Sequence, residues 1–299
     1  MIVEKIYQEY EKVALSRVLD TYINRCSLAN RCIRYLGFKK LGVIGRLTAR
    51  AYMMFLLGDM VELIIKDDIL KVLRSNDNFE FTDKDLEIKI DLGDGVILTG
   101  HLDGLMRLKD NDKYGVVEIK SMSNYAFDEA LEGKISEDYI VQASLYAYAL
   151  NVDFIDFICY RKETSHILEL IFWRDIESNV KVQYMAHEEK DYFVLNYPFD
   201  FSFIPKIRDK YKVLNSVLSI EDVLSIPIPY DFTLCSNCNG TGQKEYGKCR
   251  SCKGMGKKID LQGFVQIGYP CSYCPYNVIC YPNQIVEFDG LRPVIKVRL

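Results

Sequence analysis

The first 70 residues carry apolar side chains at helical spacing. Near the amino terminus these positions are Val3, Ile6, Tyr7, Tyr10, Val13 and Ala14. A glycine-containing break at 37–45 separates this stretch from a second predicted helix at 46–66. The helical pattern returns at 137–150 and again at 175–193.

Between the helical stretches, apolar residues alternate or form short runs, which is typical of β-strands. The predicted strands are 87–90, 96–108, 114–120, 154–162 and 167–174, the last two forming a hairpin. Turn-forming residues at 93–95 and 109–113 separate the first three strands. This order of elements predicts an α/β fold in which helices flank a central mixed β-sheet.

Composition narrows the class of protein. The chain has 299 residues, of which 49% are hydrophobic and 27% charged, and this excludes wholesale disorder. Its apolar runs are shorter than the roughly 18–20 residues of a membrane-spanning helix, and the amino terminus lacks the apolar centre of a signal peptide. We therefore expect a cytoplasmic protein, in a host cytoplasm if its source is viral. A net charge of −4 argues against a generally basic nucleic-acid coat protein but allows local basic surface.

The distribution of cysteines and prolines divides the chain further. Ten cysteines are present, and seven of them lie between 235 and 280. In a chain without a secretion signal, paired cysteines indicate metal ligands rather than disulfides. We predict a helical region at 1–70, a catalytic core at 71–196, a proline-punctuated connection at 197–234, a cysteine-rich insertion at 235–256 and a carboxy-terminal region at 257–299.

Two carboxylates and a lysine carry the main chemical pattern of the core. Asp103 lies between glycines in GHLDG, and Glu118 and Lys120 follow in VVEIK. Residues two apart on a strand point to the same face, so Glu118 and Lys120 should point together. If the two strands pair as a hairpin, Asp103 lies beside Glu118. Carboxylates can hold Mg²⁺, and a nearby lysine can orient a water for phosphodiester hydrolysis.

The motifs GHLDG, VVEIK and QASLY, in this order, resemble the RecB-type exonuclease branch of the PD-(D/E)xK nuclease superfamily. The resemblance implies a restriction-endonuclease-like core, with Asp103 and Glu118 as ligands of Mg²⁺ or Mn²⁺ and Lys120 assisting the attacking water. It also implies that Gln142 and Tyr146, four residues apart on one helix face, support the substrate and the lysine. From the residues alone, these two side chains would be ordinary core.

A further metal ligand is implied by the spacing of Gly58 and Glu62 in FLLGDMVEL. Many members of the resembled branch carry a histidine or glutamate four residues after such a glycine, and it reaches the metal. Glu62 is the corresponding residue here. A solvated helix carboxylate is the alternative interpretation.

The carboxy-terminal motif CSYCPYNVIC supplies Cys271, Cys274 and Cys280. It resembles the motif of RecB-type nucleases with an iron–sulfur cluster, such as the CRISPR-adaptation nuclease, in which a fourth cysteine precedes the core. The resemblance implies a 4Fe-4S cluster, and the context Cys-Ile-Arg favours Cys32 over Cys26 as the fourth ligand. Zinc at this site is the alternative.

A second motif places Cys235, Cys238, Cys249 and Cys252 in two CxxC pairs, a pattern that binds one tetrahedral Zn²⁺. Glycines after each pair permit tight turns that bring backbone N–H groups to the thiolates. The repeated CxxCxGxG resembles the zinc segment of DnaJ-type cochaperones. Only metal binding is carried over, because the HPD signature of a J-domain is absent from the sequence.

Together these patterns predict a metal-dependent deoxyribonuclease. We expect an exonuclease that acts on single-stranded DNA or on single-stranded ends, in recombination, repair or replication, with a helicase or recombinase as a partner. The alternative is a nucleic-acid-binding or assembly module with a degenerate nuclease core. A zinc-dependent, chaperone-like adaptor is a third hypothesis, favoured only by 235–256.

Overall fold

The computed structural model describes residues 2–18, 21–45, 49–75, 78–82, 86–110, 112–174, 192–228, 233–244, 247–253, 255–259, 264–268, 271–289 and 292–297. The helices are α1 (Ile2–Val18), α2 (Ile33–Lys40), α3 (Ala49–Arg74), α4 (Asn124–Leu131), α5 (Glu137–Leu150), α6 (Ile204–Ser216), α7 (Ile220–Ser225) and α8 (Asn277–Cys280). The strands are β1 (Phe79–Thr82), β2 (Leu86–Asp91), β3 (Ile97–Leu102), β4 (Gly104–Leu108), β5 (Lys113–Met122), β6 (Phe154–Arg161), β7 (Ile167–Trp173), β8 (Tyr192–Pro198), β9 (Gln243–Lys244), β10 (Gly247–Lys248), β11 (Val265–Gln266), β12 (Ile285–Asp289) and β13 (Arg292–Val297).

The chain forms two compact units, each made of three segments. The first unit comprises Met1–Tyr10, Tyr22–Arg31 and Ala49–Ser216. The second comprises Glu11–Thr21, Cys32–Thr48 and Val217–Leu299.

A six-stranded mixed sheet organises the first unit, in the order β1-β4-β5-β6-β7-β8. The pairs β5–β6 and β7–β8 are parallel, and the others are antiparallel. Parallel neighbours need a long crossover, and between β5 and β6 the chain makes it through α4 and α5. The predicted α/β fold with a central mixed sheet flanked by helices is confirmed.

The long strand predicted at 96–108 is instead two strands. The chain bends at Asp103, so β3 pairs with β2 in a separate two-stranded sheet while β4 joins the central sheet. The alternating pattern continues through the bend, and therefore gave no sign of it. This bend puts Asp103 where the two sheets part.

Strand β5 is buried on both faces over its central residues. Val117 and Ile119 pack with Met106, Phe154 and Ile158 in an apolar cluster, as predicted from their alternation with Glu118. A strand buried on both faces reads as a nearly continuous apolar run. Glu118 therefore stands out as the charged residue in that run.

Helix boundaries agree with the sequence patterns to different degrees. The prediction at 137–150 is confirmed by α5, and the helix predicted at 46–66 begins at Ala49 and continues to Arg74. Of the helix predicted at 175–193, residues 175–191 lie outside the described part, and Tyr192 and Phe193 begin β8.

Prolines predicted a connection after Tyr197, but this stretch contains helices α6 and α7. Pro205 lies in the first turn of α6, where its missing N–H leaves no hydrogen bond unmade. Ser219 caps α7 by accepting a hydrogen bond from the Asp222 N–H, and Asp222 accepts one in return from the Ser219 N–H.

The second unit contains a small antiparallel sheet in the order β11-β13-β12. Val265, Ile267, Tyr281, Ile295 and Val297 form its apolar cluster. A second cluster joins Phe38 of α2 to Val217, Val223 and Tyr276. Among the described helices, none combines the length and the apolar character needed to cross a membrane.

Candidate functional site

The β4–β5 hairpin sets the position of Asp103 relative to Glu118. Gly104 pairs with Val117 in this antiparallel ladder, so the preceding residue Asp103 lies across from Glu118. The Asp103 carboxylate accepts a hydrogen bond of 2.8 Å from the Ile119 N–H through Oδ2. This backbone contact holds one carboxylate oxygen against β5 and brings the two predicted metal ligands together.

Glu118 and Lys120 form an ion pair on the same face of β5. Lys120 Nζ lies 2.7 Å from Glu118 Oε2, and the two side chains are 12% and 1% exposed. Lys120 Nζ also lies 5.4 Å from the centroid of the Tyr139 ring on α5. An ammonium over an aromatic face is attracted to it, so Tyr139 stabilises the charged lysine.

Helix α5 brings Gln142 and Tyr146 to the same region. Gln142 Nε2 donates a hydrogen bond of 3.1 Å to the Tyr146 hydroxyl. Burial is the main cause that raises the pKa of Tyr146, and the negative charge of Glu118 is the second. The positive charge of Lys120 lowers this pKa. Tyr146 therefore lies within electrostatic reach of Glu118 and Lys120.

Gly100 on β3 makes room for Tyr146. A Cβ at this position would lie 2.4 Å from a ring carbon of Tyr146 and 2.7 Å from its hydroxyl oxygen. The glycine therefore allows α5 to lie close to β3 with the ring of Tyr146 fully buried.

Two residues near the site were not predicted there. Tyr139 is one. The other is Cys26, which is 1% exposed, and burial followed by the charge of Glu118 raises its pKa to about 12. Cys26 comes 92 positions before Glu118 in the chain, and no pattern in the sequence connects them.

Helix α3 carries Glu62, the third predicted metal ligand of the core. A Cβ on Gly58, one turn earlier, would lie 3.8 Å from the Ser121 hydroxyl oxygen at the end of β5. This turn of α3 therefore approaches the strand that carries Glu118 and Lys120. The side chain of Glu62 lies outside the described part of the structure.

Four cysteines of the second unit form a compact metal-ligand set. The Sγ atoms of Cys235, Cys238, Cys249 and Cys252 all lie within 4.8 Å of one another, and all four residues are buried. Cys238 Sγ and Cys252 Sγ are 3.7 Å apart. Zn–S bonds of about 2.3 Å in a tetrahedron give nearly this separation. The set has the dimensions of a site for one metal ion.

Backbone N–H groups approach these sulfur atoms, as the glycine pattern predicted. The Gly256 N–H donates to Cys252 Sγ at 3.3 Å, and Gly256 has a φ of 70° that favours glycine. A hydrogen bond from the Cys252 N–H contributes most to lowering the pKa of Cys249 to about 7. Thiolates are the form that binds metal, so these contacts favour metal binding.

The other predicted cysteine site is more open. Cys32, Cys271, Cys274 and Cys280 are all half-buried in the second unit. Burial raises the pKa of Cys280, and so does the nearby Cys32. Arg34 Nη1 lies 3.9 Å from Cys280 Sγ. Within the described residues, only the Cys235 set brings three or more ligand atoms within 4.8 Å, so these cysteines do not form a site of single-ion size.

Comparisons with known proteins give distant structural likenesses only. No protein-family model and no curated protein sequence matches the chain. The crystal structure of SSO0001 aligns with 72% of this chain and 88% of its own, at 18% identity and a TM-score of 0.38. The alkaline exonuclease LHK-Exo from Laribacter hongkongensis covers 72% of this chain and 94% of its own, at 17% identity and a TM-score of 0.37. LHK-Exo in complex with dAMP gives the same coverage and identity at a TM-score of 0.38.

Proposed function

We propose that the protein is a metal-dependent deoxyribonuclease that hydrolyses phosphodiester bonds, most simply as an exonuclease. One observation carries the proposal: Asp103 lies across the β4–β5 hairpin from Glu118, and Lys120 pairs with Glu118 on the same strand. A buried carboxylate in an apolar strand does not serve packing. Its pairing with a lysine and its position opposite a second carboxylate suit metal-assisted hydrolysis.

Asp103 and Glu118 are the residues that would hold Mg²⁺ or Mn²⁺, with Glu62 as a third candidate. Their chemistry fits, because hard divalent cations prefer carboxylate oxygens. When bound, such an ion lowers the pKa of a coordinated water and neutralises charge on the phosphate. The Ile119 N–H, 2.8 Å from Asp103 Oδ2, orients this ligand.

Lys120 orients the attacking water and stabilises negative charge that develops on it. Its ammonium group is held by the ion pair with Glu118 and by the contact with the ring of Tyr139. The hydrogen bond from Gln142 orients the hydroxyl of Tyr146. Gln142 and Tyr146 therefore act as positioning residues for Lys120 and for the substrate.

The two cysteine sets would serve different metals. Cys235, Cys238, Cys249 and Cys252 suit a single Zn²⁺, because their sulfur atoms are too close for a multi-iron core between them. Cys32, Cys271, Cys274 and Cys280 are proposed as ligands of a 4Fe-4S cluster that joins distant segments of the second unit. The nearness of Cys32 to Cys280 favours Cys32 over Cys26 as the fourth ligand.

Asp103→Asn tests the catalytic proposal with little disturbance to the fold. The asparagine oxygen can still accept the Ile119 N–H, but the charge that would bind metal is lost. We expect cleavage of end-labelled linear DNA in Mg²⁺ or Mn²⁺ to fall by at least a hundredfold, and Lys120→Ala to have a similar effect. The protein should be purified without oxygen to protect a cluster.

Asp91→Asn is the matched control, since Asp91 accepts a backbone hydrogen bond of 2.8 Å from the Gly93 N–H away from the site. It should cleave like the wild type. Full activity in Asp103→Asn would refute the site. Absence of cleavage by metal-loaded wild type that binds DNA would favour the binding module. A role in recombination or repair, and a helicase or recombinase partner, stay predictions.

A further inference from the structure

Positive charge is concentrated around the Cys235 set. Between 235 and 258 the chain carries six cations and one acidic residue, Glu245, a formal charge of +5. The whole chain carries −4, so the other 275 residues together carry −9. Four thiolates around a divalent ion contribute −2, which leaves this segment at +3 in its metal-bound form. This segment, 235–258, which we call the metal module, is therefore a positive region on an acidic protein.

Five of these six cations are exposed to solvent. Lys244, Lys248, Arg250, Lys253 and Lys258 are exposed, and none of them forms an ion pair with a residue that the structure describes. Elsewhere, exposed basic side chains such as Lys134 and Lys71 lie next to carboxylates. Unpaired surface cations repel one another, and a polyanion would relieve this repulsion.

The charge is also unevenly placed within the module. The first CxxCxGxG repeat, 235–242, contains no charged residue. All six cations follow it, on β9 and β10, in the second repeat at 249–256 and directly after that repeat. Cys249 and Cys252 hold the second repeat in the buried ligand set, and β10, which directly precedes it, pairs with β9. The cations thus stand on a fixed backbone, which reduces the entropy lost on binding.

We infer that this surface, formed by Lys244, Lys248, Arg250, Lys253 and Lys258, binds the phosphate backbone of nucleic acid without sequence preference. For the identity of the polyanion, the inference rests on the proposed function. Regularly spaced phosphates meet several cations at once, and their binding releases counterions from the nucleic acid. The surface holds the DNA, while the site on β5 supplies the chemistry.

The test is the salt dependence of binding to a fluorescent 30-nucleotide single-stranded DNA, without added Mg²⁺ or Mn²⁺ and without chelator. Each phosphate contact contributes about 0.7 to the slope of log K against log salt for single strands. The triple variant Lys248→Gln, Arg250→Gln, Lys253→Gln should lower the slope by about 2. Its affinity at 0.1 M salt should fall by about 100-fold.

The control removes three exposed cations elsewhere, in Lys71→Gln, Lys109→Gln, Lys134→Gln. It should keep the wild-type slope. A slope change below 0.7 in the first variant, or an equal change in the control, overturns the inference. Acetylation of the wild type gives a second measurement, since bound DNA should protect Lys248 and Lys253 but not Lys134. Cleavage is scored separately, so DNA binding without cleavage refutes the nuclease and not this surface.

Discussion

Replacing Gly100 with alanine tests the packing of α5 against the residues of the candidate site. The new methyl group would lie 2.4 Å from a ring carbon of Tyr146 and 2.7 Å from its hydroxyl oxygen. Carbon atoms in contact need about 3.5–4.0 Å, so the ring must move by about 1 Å. Tyr146 is fully buried, and the dense packing of protein interiors resists such a movement.

The expected cost follows from overpacking of a dense core. An added methyl group that forces side chains and backbone to shift destabilises a protein by about 1–3 kcal/mol. For a unit of this size each kcal/mol lowers Tm by about 2–4 °C, which gives a fall of about 2–12 °C. Activity should fall further, since a displacement of about 1 Å near the reacting groups can reduce the rate by about a hundredfold.

The assay combines thermal unfolding with DNA cleavage well below Tm. Gly58→Ala, in helix α3, is the control. Its methyl group would lie 3.8 Å from the Ser121 hydroxyl oxygen, which is an ordinary van der Waals contact. It should raise stability by about 0.5–1 kcal/mol. A Gly100→Ala protein with unchanged Tm and unchanged cleavage would refute the proposed approach of Tyr146 to β3. Tyr146→Leu in the Gly100→Ala background should recover stability but not activity.

Three further predictions concern the ring of Tyr139, a buried pair of acids and the Cys235 set. Tyr139→Leu should lower the cleavage rate at least about two- to fivefold, because a cation–π contact is worth at least about 0.5–1 kcal/mol, whereas Tyr139→Phe should cleave like the wild type. Burial raises the pKa of both Asp156 and Glu169 above the usual 3.8 and 4.5. The folded protein therefore keeps a proton that the unfolded chain releases. The free energy of unfolding should fall as pH rises above about 4. Asp156→Asn should flatten that dependence in urea unfolding measured from about pH 4 to pH 8, and an unchanged slope would contradict the assignment. Chelation of the metal should expose the four thiols of the Cys235 set to a thiol reagent, and equal reactivity before and after chelation would argue against a metal there.

The local arrangement of the candidate site could be predicted from the sequence because its main residues lie on neighbouring strands. Alternation in VVEIK fixed the faces of Glu118 and Lys120, and a single hairpin brought Asp103 opposite Glu118. The spacing of Gln142 and Tyr146 gave their shared helix face directly. The same holds for the Cys235 set, whose ligands lie within 18 residues.

Contacts made across the fold could not be predicted in this way. Cys26 comes close to Glu118 only after the segment 22–31 joins the first unit, and no periodicity encodes that approach. Tyr139 has helical spacing that suits a core position equally well. The bend at Asp103 was missed because alternation continues through it, and helices α6 and α7 were not predicted within the proline-punctuated connection.

The burial of the Glu118–Lys120 pair is itself an argument for function. Removing two charges from water has a desolvation penalty that a single ion pair often does not recover, and apolar residues of similar volume are commonly as stable or more so. The neighbouring residues of β5 are buried and apolar, namely Val116, Val117 and Ile119. An apolar residue at 118 would extend the same run. Stability alone would therefore not select a glutamate that is 1% exposed in this strand. The proposed catalytic role, which requires a fixed carboxylate beside a charged lysine, would account for it.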